Sequence, residues 1–458
     1  MSLTISRSRY RTLIALGALV ALGACGGGGS DDEPSTETTA DEPRSQALAK
    51  RRTPPPPPPS PPSPPVDSSV VGALALASST SAGQSRDGFA PCGISADGNL
   101  IAFVSPSASL VPGDTNGVDD VFLKNLRTGA VQRISTSATG AQLTDHSSCR
   151  QMTPDGRFAL LGGFNLQDLV LKDLQTGAET PIYPAANSIP NNLGFSGGSM
   201  SDDGKVIAFV TRPTQTYVAP YNFVNNVPAR IMVRNLTTGT LATLATDNGR
   251  TADGEIVLGH LNARVSPDGR RVAFVSSAST LVAEDTNQSP DVFVRDLATG
   301  STTVVTSSSN GAPMTGRTPL YHVEWVNNGV VQFDTTTATS LGPTGEYLKS
   351  VDTGALRFLL NPADGAPAVV SADLSKVVFG RLYGSGFDRR IFSRDLATGR
   401  EELVSSSSSG VPSNGNSNVG LISRDGARVV FGSNATNLFT PAPPSGSFQI
   451  YVKTIDAP

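Results

Sequence analysis

One short pattern returns seven times along this chain of 458 residues and leaves few folds open to it. Each copy opens on a small polar turn. The cleanest are Ser95-Ala96-Asp97-Gly98, Thr153-Pro154-Asp155-Gly156, Ser266-Pro267-Asp268-Gly269 and Ser423-Arg424-Asp425-Gly426. An apolar run follows, such as Ile101-Ala102-Phe103-Val104, and is answered by a segment like Asp291-Val292-Phe293-Val294-Arg295-Asp296-Leu297-Ala298-Thr299-Gly300. Repeats of this length signal solenoids, propellers or arrays, in which each unit buries its apolar face against the next.

Each unit divides into four strands, a to d. The Asp-Gly pair makes the a–b turn, because Gly tolerates positive φ and Asp bonds its own downstream backbone. Strand b is the apolar run, and strand c is a segment like Asp120-Val121-Phe122-Leu123-Lys124. Thr-Gly pairs at Thr128-Gly129, Thr176-Gly177, Thr238-Gly239, Thr299-Gly300, Thr353-Gly354 and Thr398-Gly399 make the c–d turns. Strand d is β-rich and more polar, as in Val131 to Ser135 or Thr302 to Thr306. Short strands at regular spacing predict an all-β fold, and four per unit predict a propeller. The units begin near Cys92, Arg150, Ser199, Arg264, Val323, Val369 and Gly420. In blade five Asn327-Asn328-Gly329 replaces the Asp-Gly turn, and blade six, with Asp373-Leu374, has lost the Gly. The last unit supplies only a, b and c (Phe448 to Ile455), while Ala73 to Ser79 precedes blade one unmatched. The amino-terminal strand is therefore expected to complete the last blade and close the ring, leaving no open strand edge.

The S-x-D-G turn, the apolar strand b and the D-V-F-V-R-D-L-x-T-G segment resemble the TolB-like β-propeller repeat family over roughly residues 70–458. TolB itself carries an α/β domain before its propeller. A proline-rich stretch stands there in this chain, so the resemblance implies the fold without TolB's partnerships. The family includes binding scaffolds, peptidase-associated domains and sugar lyases, so fold does not yield function.

The first 24 residues read as a bacterial lipoprotein leader. Arg7, Arg9 and Arg11 precede an apolar stretch from Leu13 to Leu22, too short for a comfortable membrane span. Leu22-Gly23-Ala24-Cys25 then resembles the lipobox, whose Cys takes a diacylglyceryl group. Gly26 follows rather than Asp, which in that resemblance points to the outer membrane; the side of that membrane stays open. Residues 25–65 hold Gly26 to Gly29 and a proline run from Pro54 to Pro59, a composition expected to stay disordered. Polyproline II at about 3.1 Å per residue makes it a semi-rigid stalk between bilayer and propeller (66–458). If Cys25 is the anchor, Cys25→Ser should abolish labelling with palmitate and release the protein from membranes. Retained labelling would refute the anchor.

Removing residues 1–24 takes away three of 35 basic residues and none of 39 acidic ones, moving the balance from −4 to −7. That offers no footprint for nucleic acid. Beyond Cys25, two cysteines remain, Cys92 and Cys149, at the starts of strand a in adjacent blades. In an oxidising envelope they are expected to pair.

Functional candidates lie on the face of the longer b–c and d–a loops, since variable loops on a rigid scaffold usually carry function. His146, His260 and His322 each sit in a d–a connection, where imidazoles could converge over the channel mouth as metal ligands or remain three unrelated loop residues. Sugar lyases with seven-bladed propellers use a histidine-rich metal site, and the resemblance keeps that possibility open. Trp325 reads as channel packing or as a sugar platform. Two b–c loops echo one another: Asp114, Asn116 and Asp120, and Asp285, Asn287 and Asp291. Ca²⁺ favours such oxygen donors, though no Glu closes either loop; the alternative is an Asx turn leading into strand c. The long b–c loop of blade three holds Tyr217, Tyr221 and Phe223 in a chain only 6% aromatic, and exposed aromatics commonly anchor partners. No nucleophile elbow appears; Gly384-Ser385-Gly386 is only a fragment.

The expectation is thus a lipid-anchored, seven-bladed envelope propeller without an obligatory cofactor, calcium aside. It would bind an envelope protein, a peptide or a glycan on the long-loop face. The alternative is a carbohydrate-active lyase or hydrolase with a histidine-based metal at the channel mouth.

Overall fold

The computed structural model describes residues 72–455 except 164–168, 184–192, 214–228, 248–261, 279–280, 286, 288, 316–321, 362–367, 384–387 and 445. Residues 1–71, on which the expected leader, lipidated Cys25 and stalk fall, lie outside the described residues. Those described form seven four-stranded antiparallel sheets, with no helix among them. Six sheets use consecutive strands. Blade one, for instance, comprises Ala90–Ile94, Leu100–Ser105, Asp120–Asn125 and Val131–Arg133. Strand a lies innermost, and neighbouring a strands pack side by side around a central channel.

Burial follows the sequence pattern and explains it. Ile101, Ala102 and Phe103 are consecutive residues of one strand and all are fully buried. Side chains on both faces of strand b meet a neighbouring blade, so the strand reads as a continuous apolar run. Strand d, at the rim, is polar and exposed, as in Glu179–Pro181.

The Ser-x-Asp-Gly turn is structural chemistry. The Ser266 hydroxyl donates to Asp268 Oδ1 (2.6 Å) and accepts the Arg271 N–H (2.9 Å), while Asp268 accepts the Arg270 N–H (3.0 Å). The same three bonds recur at Ser95, Ser201, Ser371 and Ser423. Burial raises the Asp203 pKa, but these donors, with Ser201 first among them, hold it below the usual carboxylate value. The Gly follows at positive φ, as at Gly269 (72°). In blade six Leu374 occupies that place at φ 62°, the one non-glycine residue with positive φ among those described. Its packing against the Val377 and Phe379 core offsets the strain.

A second repeated device joins blade to blade. Lys453 Nζ donates to the carbonyls of Ser406 (3.4 Å) and Ser407 (2.9 Å), which follow strand d of blade six. Lys349 does the same to Ser307 and Ser308, and Lys124 to Ser79 and Thr80. Burial pushes all three lysines below their ordinary pKa. Ser79 and Thr80 thus stand where residues after a strand d stand. The strand before them, Leu74–Leu76, pairs with Gln449–Thr454, with Leu74 opposite Lys453 and Leu76 opposite Tyr451. The seventh blade is therefore built from both ends of the described chain.

Cys92 and Cys149 are disulfide-bonded, with Cα atoms 5.8 Å apart, as the sequence predicts. The two inner strands approach so closely that a Cβ on Gly93 would lie 2.4 Å from the Met152 Cβ. Only glycine fits there.

Candidate functional site: a channel lined with arginines

The seven a strands and their turns enclose a cavity of about 300 Å³. Its wall is mostly apolar, from Ile94, Val265, Val369 and Leu421, with charged groups projecting into it. At the a–b turn end, Arg424 of blade seven pairs with Asp202 of blade three across the bore. Both occupy the second position of their Ser-x-Asp-Gly turns, which aims them at the axis. Burial raises the Asp202 pKa and the Arg424 charge opposes the rise.

Deeper along the strands, Arg264 Nε donates to Glu324 Oε2 of the next blade (2.6 Å) and its Nη1 to Asn262 Oδ1 (2.6 Å). Gln151 bonds both backbone groups of Met200, tying blade two to blade three. Arg150 is different. Its Nε is buried with no hydrogen-bond partner, and no acid pairs with it among the described residues. Burial pushes its pKa down and the Arg264 charge adds to that. Three guanidiniums and two carboxylates thus face the cavity, and the excess positive charge sits at Arg150.

Sequence reasoning did not single out this cluster, because its members come from five blades and only Asp202 and Arg424 share a motif, the repeated turn. The available signal was an Arg at position 150 and another at 264, each in a strand whose place at the axis favours small or apolar residues.

Other predicted candidates fall elsewhere. Trp325 lines the cavity but is 7% exposed, and its indole N–H donates to the Arg264 carbonyl (2.9 Å), so it packs between blades four and five. His146 is half-exposed and its Nδ1 lies 3.0 Å from Asp119 Oδ2. The backbone N–H of His322 donates to Asp334 Oδ1 (2.7 Å), while its ring Nδ1 is buried without a partner. The two imidazoles thus share no partner: that of His146 meets Asp119, whereas the Asp334 contact of His322 is made by its backbone. His260 and the aromatics Tyr217, Tyr221 and Phe223 lie outside the described residues. Among those described, no group of three or more His, Cys, Asp or Glu is placed to share a metal.

The first Asp-x-Asn loop already has an internal cation. Arg133 Nη1 lies 3.5 Å from Asp114 Oδ1 and 3.9 Å from Asp120 Oδ2, filling the place an ion would take. Gln142 Nε2 donates to Asp114 (2.9 Å), and Asn116 Nδ2 to Asp120 (3.0 Å). The Val118 N–H donates to Asn116 Oδ1 (3.2 Å), so this copy is the Asx turn leading into strand c.

These features define a seven-bladed β-propeller with a cationic channel. No family model matches the chain, and no curated protein matches it in sequence. Among solved structures it is similar to an oligogalacturonate lyase in complex with manganese: 15% identity, 81% of this chain and 90% of that one, TM-score 0.53. An oligogalacturonate lyase from Vibrio parahaemolyticus aligns over 85% of this chain and 95% of its own at 13% identity, TM-score 0.54. TolB from Acinetobacter baumannii also matches, at 14% identity over 74% of this chain and 77% of that one, TM-score 0.35. At such identities the likeness speaks for the fold alone.

Proposed function

We propose that this propeller is a binding module rather than an enzyme, and that its channel takes an anionic group of a peptide or glycan on Arg150. The observation that carries this reading is a half-buried guanidinium whose Nε has no hydrogen-bond partner and which pairs with no acid among the described residues, beside a second guanidinium, in a cavity of ligand size. A planar guanidinium pairs bidentately with a carboxylate, and in a desolvated site that pairing is strong. With the turn end barred by Arg424 and Asp202, such a ligand would approach from the long-loop face. The channel's two acids, Glu324 and Asp202, are each held by an arginine. General acid–base chemistry needs titratable groups within reach of a substrate proton, so this arrangement supports binding over a lyase or hydrolase.

The test is calorimetric titration with acidic and neutral oligosaccharides and with peptides of matched length. Acidic ligands should bind, and added salt should weaken them. Arg150→Ala should lower their affinity about 10–100-fold, the worth of a hydrogen bond to a charged group. The same variant should melt no lower than the parent, because it removes a half-buried charge that no acid compensates among the described residues. Equal binding of neutral ligands, or unchanged affinity in Arg150→Ala, would count against the reading.

A further inference from the structure

The two Asp-x-Asn loops run parallel residue for residue, and the comparison exposes a difference. In blade one Asn116 donates to the Leu143 carbonyl (2.9 Å); in blade four Asn287 donates to the Met314 carbonyl (3.0 Å). Asn116 accepts the Val118 N–H; Asn287 accepts the Ser289 N–H (2.8 Å). Ser135 donates to Asp120; Thr306 donates to Asp291. The backbone pairing matches as well, with Phe122 opposite Arg133 and Phe293 opposite Val304. Blade four therefore keeps the scaffold and both acids but has Val304 where blade one has Arg133. It also has Pro313 where blade one has Gln142.

Two donors of blade one, Arg133 and Gln142, thus have no counterpart, while Asn287 and Thr306 keep the places of Asn116 and Ser135; yet the acids remain buried. Asp285 is 7% exposed and Asp291 2% exposed. Both carboxylate oxygens of Asp285 are buried without a hydrogen-bond partner. Burial raises its pKa and the Asn287 backbone N–H opposes the rise, without making a bond of good geometry. Burial holds Asp291 up at about 7 against the Thr306 hydroxyl, and the Asp285 charge adds to that rise. Among the described residues no basic side chain acts on either carboxyl. A buried carboxylate stays ionised only with a counter-charge.

We propose that Asp285 and Asp291 of blade four hold a calcium ion where blade one carries the Arg133 guanidinium. Two carboxylates supply up to four oxygens, and water can complete the six to eight that calcium takes. Asp285 and Asp291 offer no nitrogen or sulfur ligand, which favours a hard cation over zinc. Such a site belongs with weak extracellular modules, with Kd of about 10⁻⁴–10⁻³ M. It is independent of the channel reading.

The experiment is calcium titration of the full chain after chelator treatment, read by calorimetry and by melting temperature. The parent should bind one equivalent saturably below about 10 mM and melt higher by about 2 °C. Asp285→Asn should lose both responses, while Asp114→Asn should keep them. Val304→Arg should also lose them, because it restores the internal cation of blade one; this second variant serves should Asp285→Asn fail to fold. No saturable calcium binding by the parent would overturn the proposal and leave the pair neutralised by protons. Undiminished binding in a folded Asp285→Asn or Val304→Arg protein would overturn it equally.

Discussion

A chain lacking residues 72–80 should be less stable by about 5 kcal/mol, counting two buried leucines at about 1.5–3 kcal/mol each, and should self-associate. Leu74 and Leu76 pack in the core formed by Val429, Phe431 and Tyr451. Ala77 is fully buried among Phe103, Ile450 and Val452, where blade seven meets blade one. Ser78 accepts the Ile450 N–H (3.0 Å) and donates to Gln449 (3.0 Å). Without this segment the Gln449–Thr454 strand presents an open edge, a template for another chain, and Lys124 loses two of its carbonyl partners. Denaturant unfolding and size-exclusion chromatography measure both effects. An unchanged midpoint and a monomeric peak would show that the ring does not depend on this strand.

Replacing Cys92 and Cys149 together by Ser and Ala should cost about 4 kcal/mol. The bridge spans 57 positions of sequence, and cross-linking so long a loop removes that much chain entropy from the unfolded state. The close approach at Gly93 means that the native backbone already holds the two strands together, so the loss should appear in the unfolding equilibrium rather than as a changed fold. Reductant should lower the denaturation midpoint of the parent and leave the double variant unmoved. Equal midpoints for parent and variant without reductant would dismiss the bridge as a source of stability.

Most of the architecture was legible because its causes are local. Where a Ser stands two residues before the Asp of an a–b turn it satisfies the same three bonds, so those turns were legible from the chain alone, even where Leu374 replaces glycine. Continuous apolar runs between polar strands follow from sheets stacked on both faces. A spare strand before the first repeat and a missing one in the last specified how the ring closes. Two cysteines at the starts of strand a in adjacent units, one residue apart in register, pointed to a pairing that the structure bears out. Chemistry was another matter. The loops at Asp114 and Asp285 look alike over their own residues, and what separates them is Arg133 against Val304, on a strand further along and brought alongside by register. Arg150, Asp202, Arg264, Glu324 and Arg424 lie far apart in the chain and meet only because seven strands converge on one axis. Repetition is written in nearest-neighbour bonds, which sequence carries directly; the charge at a point in space is a sum over distant residues, and only the folded ring performs it.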